Sequence, residues 1–264
     1  MRKYVEVAKI LFKAQLAFRF DVAMTALETL GRVLFAWLIW GAVFIGRDTV
    51  GGFTLQAMIL YYVVSSFLAS LDLSWGVSGE VSERIRGGTF SKFMVIPSNP
   101  QLHFLAQTMG TTAFYALFAL PVAIFSGFLF GADTLVLSPI PIFIGVIMIP
   151  LGMIFITSYH FFIGLLAFKF QDVSFFRHLQ GSIIQFAQGA MVPLILLPVF
   201  VLNILNVLPF PHMIFTPTML ITGNMGTEEG LYSLGVLALW TIVMLVVSQI
   251  TYNRLRIKFD GVGV

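Results

Sequence analysis

Glu28 and Arg32 stand four residues apart in ETLGR, inside a run of hydrocarbon side chains. An ionisable group costs about 2.5–3.5 kcal/mol at the centre of a membrane span, so each such residue is a candidate site. The acid precedes the base, which is the favourable order for a helical i,i+4 pair. Two readings are open: a polar lining at the mouth of a translocation route, or a self-paired couple that lowers the cost of insertion. Asp72, in SLDLSWG, has no cation nearby in sequence. It reads either as a contact for a basic or cationic partner or as a structural hydrogen-bonding group. His160, in TSYHFF, lies deep in a later apolar run, as a hydrogen-bonding residue between helices or a proton relay. His103, His178 and His212 fall near run ends or in connections. No two histidines have metal-ligand spacing and H-E-x-x-H is absent. No Ser-His-Asp signature stands out, and a scattered triad needs geometry to be recognised. The sequence contains no cysteine, which excludes disulfides and thiol chemistry.

These residues must be held by elements suited to lipid. The 264-residue chain is 58% hydrophobic and 10% charged, against about 25% charged in soluble domains. A bilayer span takes about 20 apolar residues. Six are predicted: Val22–Gly46, Leu55–Ser78, Leu102–Phe130, Ile140–Phe168, Leu179–Leu202 and Leu231–Tyr252. With the N-terminus inside, all of the 15 Lys and Arg residues except Arg32 and Arg47 fall in inside segments. That asymmetry in short loops places both termini in the cytoplasm. Asp48, Asp133, Glu228 and Glu229 then lie outside.

The first twenty residues lack the apolar core and small-residue cleavage site of a signal peptide. Arg2, Glu6, Lys9 and Lys13 share one helical face, and Val5, Ala8, Phe12 and Leu16 share another. Such a helix suits the membrane interface. Residues 203–230 are too rich in proline to span, with Pro209, Pro211 and Pro217, yet too apolar for a free loop. Two short re-entrant helices fit, since irregular backbone at membrane depth needs protein or a cavity around it. Pro121, Pro150, Pro193 and Pro198 fall within spans, the last two predicting a bend in the fifth. The expected fold is an all-α integral membrane protein. It forms a single transmembrane domain over 1–264, with an interfacial helix at 1–20, a polar cytoplasmic segment at 80–100 and an extracellular re-entrant segment at 203–230.

The polar segment reads EVSERIRGGTFSKFMVIPSNP. After Gly87 and Gly88, the residues Phe90, Phe93, Met94 and Pro97 line one side of a short helix that Pro97 and Pro100 stop. Its apolar side suits lipid or a groove on a soluble partner. SERIRGGTFSKFMVIPSNP resembles the cytoplasmic coupling-helix loop of the type-2 ATP-binding-cassette exporter permeases. Gly87, Gly88, Thr89, Phe90 and Pro97 fit that pattern, while Ser91 stands where those permeases often carry an acid. The resemblance extends to the interfacial helix, the six spans and the proline-rich piece before the last span.

The resemblance implies a dimer of six-span subunits, identical or related, over two cytoplasmic ATPase subunits in a bacterial inner membrane. Contact with the ATPase is then expected from Glu83, Arg84, Arg86, Gly87, Gly88, Thr89, Phe90, Phe93, Met94 and Pro97. The first, second and fifth spans are expected to wall the path. That makes Glu28, Arg32, Phe35, Trp37, Trp40, Asp72, Gln185 and Gln188 path candidates, although hydrogen bonding between helices explains the glutamines equally well. ATP and Mg are expected on the partner, because this sequence has no G-x-x-x-x-G-K-[ST] loop. No catalytic residue, cofactor, metal or nucleic-acid partner is expected for the chain itself. The aromatic-rich spans suit a small amphipathic or lipid-like passenger. A secondary transporter or channel would call for an internal repeat and a mid-membrane ionisable cluster. A membrane-embedded enzyme would call for convergent catalytic groups at one membrane face.

Overall fold

The computed structural model describes residues 2–95, 98–131, 138–170 and 173–258. Pro97 and Asp133 lie outside the described residues. Among those described, the only regular structure besides helix is a lone bridge between Val50 and Phe53. Among the described residues five helical stretches are long and apolar enough to cross a membrane: Ala23–Val43, Leu55–Arg86, Pro100–Leu129, Pro139–Phe168 and Thr227–Leu255.

The first helix, α1 (Arg2–Ala14), lies along α6 (Pro100–Gly131). Its packed side differs from the expected Val5–Ala8–Phe12–Leu16 face. Tyr4, Val7, Ala8, Leu11 and Phe12 are half-buried, whereas Val5 and Leu16 are exposed. The helix has two apolar flanks, and only one can meet protein. Phe12 meets Phe114 edge-on with centroids 5.4 Å apart. The Asn99 N–H donates to the Tyr4 hydroxyl at 2.8 Å. Gly110 permits the close approach, because a Cβ there would run into the Ala8 carbonyl.

Next, α2 (Arg19–Val43) leans on α3 (Leu55–Ser70) and α6. Val33 and Ala36 are buried there, and most of the remaining α2 surface is exposed hydrocarbon. In water such a surface would be a liability; against lipid tails it is the natural exterior. Thr54 caps α3, accepting from the Ala57 N–H at 3.3 Å.

The second predicted span is broken at residues 71–74 and resumes as α4 (Trp75–Arg86). Helix thus continues through Glu80–Arg86, where the sequence suggests a loop. The break keeps its polar groups satisfied. Asp72 Oδ1 accepts from the Ser74 N–H at 3.2 Å and the Ser74 hydroxyl at 2.6 Å. The Leu71 carbonyl accepts from Thr112 at 3.0 Å. After α4 comes a 3-10 turn, Thr89–Ser91, and the short α5 (Lys92–Val95).

The long α7 (Pro139–Leu165) packs against α4 and against α11 (Thr227–Leu255). The fifth predicted span, Leu179–Leu202, is not a continuous helix. It comprises α8 (Ser174–Ala187), an irregular stretch with a 3-10 turn at Leu194–Leu196, and α9 (Val199–Leu205). Gly189 turns left-handed at φ 74°, and Pro193 and Pro198 have no N–H to continue a helix. The freed carbonyls find donors on neighbouring elements. Tyr61 donates to Gly189 O at 2.7 Å, Tyr62 to Met191 O at 2.9 Å, and the Phe215 N–H to Gln188 O at 3.0 Å. Phe215 opens α10 (Phe215–Ile221), a short helix buried against α7 and α3. Among the described residues four apolar clusters hold the bundle, a small one between α2 and α3 around Val33 and Ile59 and three larger ones. One, around Phe155 and Leu220, is central. A second, around Phe90 and Phe161, closes the α4–α5 end, and a third, around Tyr61 and Phe215, closes the other.

Candidate functional site

Three helices turn polar stripes toward one another. On α2, Thr25, Glu28, Thr29 and Arg32 recur at spacings of three, one and three, so they share a face. The C-terminal half of α3 supplies Ser66 and Ser70, and the break after it supplies Asp72. Arg177, Gly181, Gln185 and Gln188 run down α8 to its end. Together they line a cleft of about 440 Å³, with His160 of α7 and Trp75 of α4 also on its wall.

The structure therefore brings five of the expected path residues together: Glu28, Arg32, Asp72, Gln185 and Gln188. The three aromatics lie elsewhere. Phe35 is 66% and Trp37 45% exposed, on the outer surface of α2. Trp40 packs against Phe44 and Tyr62 in the cluster at the far end. Periodicity accounts for Trp37, which stands five residues beyond Arg32 and rotates away from its stripe; Phe35, three residues on, stays near that face but lies past the end of the cleft, exposed. Arg177, Thr25, Thr29, Ser66 and Ser70 were not singled out from sequence as path residues. The i,i+3,i+4,i+7 polar repeat on α2 was a legible signal for two of them. Arg177 sat among the basic loop residues, and only the fold turns it inward.

The charges in the cleft are arranged unequally. Arg32 holds Glu28 at 2.7 Å, so both readings of that couple apply: it is self-paired and it lines the space. Asp72 is committed to Ser74. His160 is buried, and its Nδ1 lies 3.4 Å from Gln180 Nε2. Arg177 has no ion pair among the described residues, and its buried Nε–H has no acceptor. No group of His, Asp and Glu among the described residues could hold a metal ion.

The segment beyond α4 is built from within. Gly87 caps α4, and Gly88 at φ 73° reverses the chain. Phe90, expected on a partner-facing side, is instead fully buried. It meets Phe93 at 5.3 Å, Phe168 at 5.5 Å and Tyr252 at 6.2 Å. A large ring here gains more from the core of this end than from an exposed helix of four residues. Phe93 is half-buried, 5.7 Å from Phe104 and 5.9 Å from the Arg84 guanidinium carbon. Arg84 donates twice to Glu80 Oε1, at 3.0 and 2.7 Å, and Gln107 donates to Glu80 Oε2 at 3.0 Å. Glu83, Arg86, Gly87, Thr89, Ser91, Lys92, Met94 and Val95 remain exposed, Val95 at 84%. Gly88 is partly covered. The outward tip is thus Thr89–Val95 without Phe90.

A model of the family described as ABC-2 family transporter protein matches residues 30–263. No curated protein and no solved structure matches the chain.

Proposed function

The chain belongs to the ABC-2 transporter family, and we propose that it lines the route of an exporter for a small amphipathic or lipid-like passenger. As a permease subunit, it is a multi-pass membrane protein that works with ABC ATPase partners. In our reading two ATPases sit beneath two permease subunits, bind the ATP and Mg, and meet the exposed tip at residues 89–95. Both termini face the cytoplasm of a bacterial inner membrane.

One observation carries the reading. A polar cleft lies inside a shell of exposed hydrocarbon, and α4 joins its wall at Trp75 directly to the outward tip. ATPase closure would press on the tip, tilt α4 and change the cleft. Moving a two-state transporter from 1:99 to 99:1 takes about 5.5 kcal/mol of bias. A helix anchored at both ends transmits such a push better than a loop does.

The test is reconstitution in lipid with a cognate ABC ATPase. A stable complex with ATP hydrolysis that falls in Val95→Glu supports the reading. The substitution leaves the core untouched, so a stable complex with full, unaltered hydrolysis would exclude the tip as the lever. Absence of any ATPase association would remove the proposal.

A further inference from the structure

We propose that the Arg177 guanidinium is the anion receptor of the cleft, taking a phosphate or carboxylate group of the passenger. The inference rests on the cleft being the passenger's route.

Two cations line the cleft, and only one is committed. Arg32 carries Glu28 at 2.7 Å. Arg177 makes no ion pair among the described residues, and its Nε–H is buried without an acceptor. Arg177 as a whole is half-buried, and an oxyanion that reaches its guanidinium would supply the missing counter-ion. The guanidinium fork matches a phosphate or carboxylate through two parallel hydrogen bonds.

The cation is also held in place. The Trp75 ring lies 5.7 Å from its Cζ. One helical turn on, Gly79 leaves room for it, since an added Cβ would come within 2.8 Å of Nη2. Trp75 and Gly79 both belong to α4, so a ring face and a missing side chain form a cradle for a charge that lacks a counter-ion. Gln180, one turn further along α8, has a buried Oε1 without a donor, and its amide faces His160. His160 lines the cleft, and with Nδ1 accepting from Gln180 its other ring nitrogen can carry an N–H toward an oxyanion. Asp72 repels an anion from the α3 side and so confines it to the α8 wall. The anion could arrive as a lipid-like headgroup from the bilayer or as part of a water-soluble molecule; the receptor chemistry is the same.

The full chain in phosphatidylcholine nanodiscs tests this, with Trp75 emission as the readout and the Trp75→Phe chain as the blank. Two probes are titrated: phosphatidylglycerol within the disc and inorganic phosphate in the buffer. A saturable response to the lipid alone assigns a headgroup; a response to phosphate assigns a soluble anion. Arg177→Gln should weaken the midpoint by about tenfold or more, and Arg177→Lys by less, because lysine keeps the charge without the fork. Gly79→Ala keeps the charge but displaces the guanidinium, and should weaken binding as well. No response to either probe overturns the proposal. So do midpoints unchanged in both Arg177→Gln and Gly79→Ala. Co-purification of the ATPase is scored on the same preparations, so failure of the permease reading and failure of the anion receptor are read separately.

Discussion

Replacing Tyr61 by Phe removes one hydroxyl and leaves the Gly189 carbonyl buried without its 2.7 Å donor. That should cost about 1–3 kcal/mol, seen as a lower melting temperature in detergent. Phe90→Ala empties a fully buried site and should cost about 3–5 kcal/mol. Val95→Glu, on the exposed tip, should leave the melting temperature unchanged while reducing ATPase stimulation. The contrast separates folding from coupling, which a charge at Phe90 cannot do. His212 adds a pH dependence. Its Nε2 lies 3.0 Å from Asn206 O, and its Nδ1 lies 3.0 Å from the Thr216 hydroxyl. Burial pushes its pKa below the ordinary 6.5, and the contact with the Asn206 carbonyl raises it by less. The unfolded chain therefore takes up the proton first as pH falls. The contribution is full above the ordinary value and is lost progressively below it. Melting temperature should drop between neutral and mildly acidic pH, and His212→Gln should flatten that slope. At this scale the sequence was legible wherever a charge stood alone in hydrocarbon: Glu28, Arg32 and Asp72 all reach the cleft. It was illegible for Phe90, because a ring at helical spacing looks the same whether it faces a partner or its own core.

Among the elements, long apolar runs were legible because length and hydropathy alone decide them. The helices Arg19–Val43, Pro100–Gly131, Pro139–Leu165 and Thr227–Leu255 match expected spans closely. The two interruptions were harder to read. The bend signalled by Pro193 and Pro198 is a full break, because Gly189 has already ended α8. At Leu71–Ser74 no proline marks the site, and the Asp72–Ser74 turn competes with the helix locally. One prediction belongs here. Gly110→Val should detach α1 from α6, since its side chain would occupy the place of the Ala8 backbone. Limited proteolysis should then cut within residues 2–17 of the variant faster than in the parent chain. Equal rates would show that α1 is held mainly by lipid.

For the molecule as a whole, the balance is between a hydrocarbon exterior and a polar cleft within it. α4 connects the two candidate sites. Trp75 and Gly79 touch Arg177 at one end, while Glu80 and Arg84 brace the other against Gln107 and Phe93. Neutralising Glu80 as Gln should loosen that brace. The expected outcome is weaker coupling of ATP hydrolysis to transport with only a small change in stability, since a half-exposed pair contributes about 0–1 kcal/mol. Transport and hydrolysis rates measured on the same proteoliposomes would show whether their ratio falls.

The divided fifth segment also bears on how the chain is made. Its first half, α8, has 14 residues, or about 21 Å of helix against a hydrocarbon thickness of about 30 Å. It carries Arg177, Gln180 and Gln185, with Gln188 just after it, and the carbonyls at its broken end depend on Tyr61, Tyr62 and Phe215. A nascent chain emerging at that point offers the insertion machinery a segment that cannot settle in lipid alone. It must wait beside α3, already in place, for α10 to be synthesised behind it. This region is therefore expected to insert only once it can pack against α3. A glycosylation reporter placed after residue 205 should reach the far side efficiently only when residues 55–70 are present upstream.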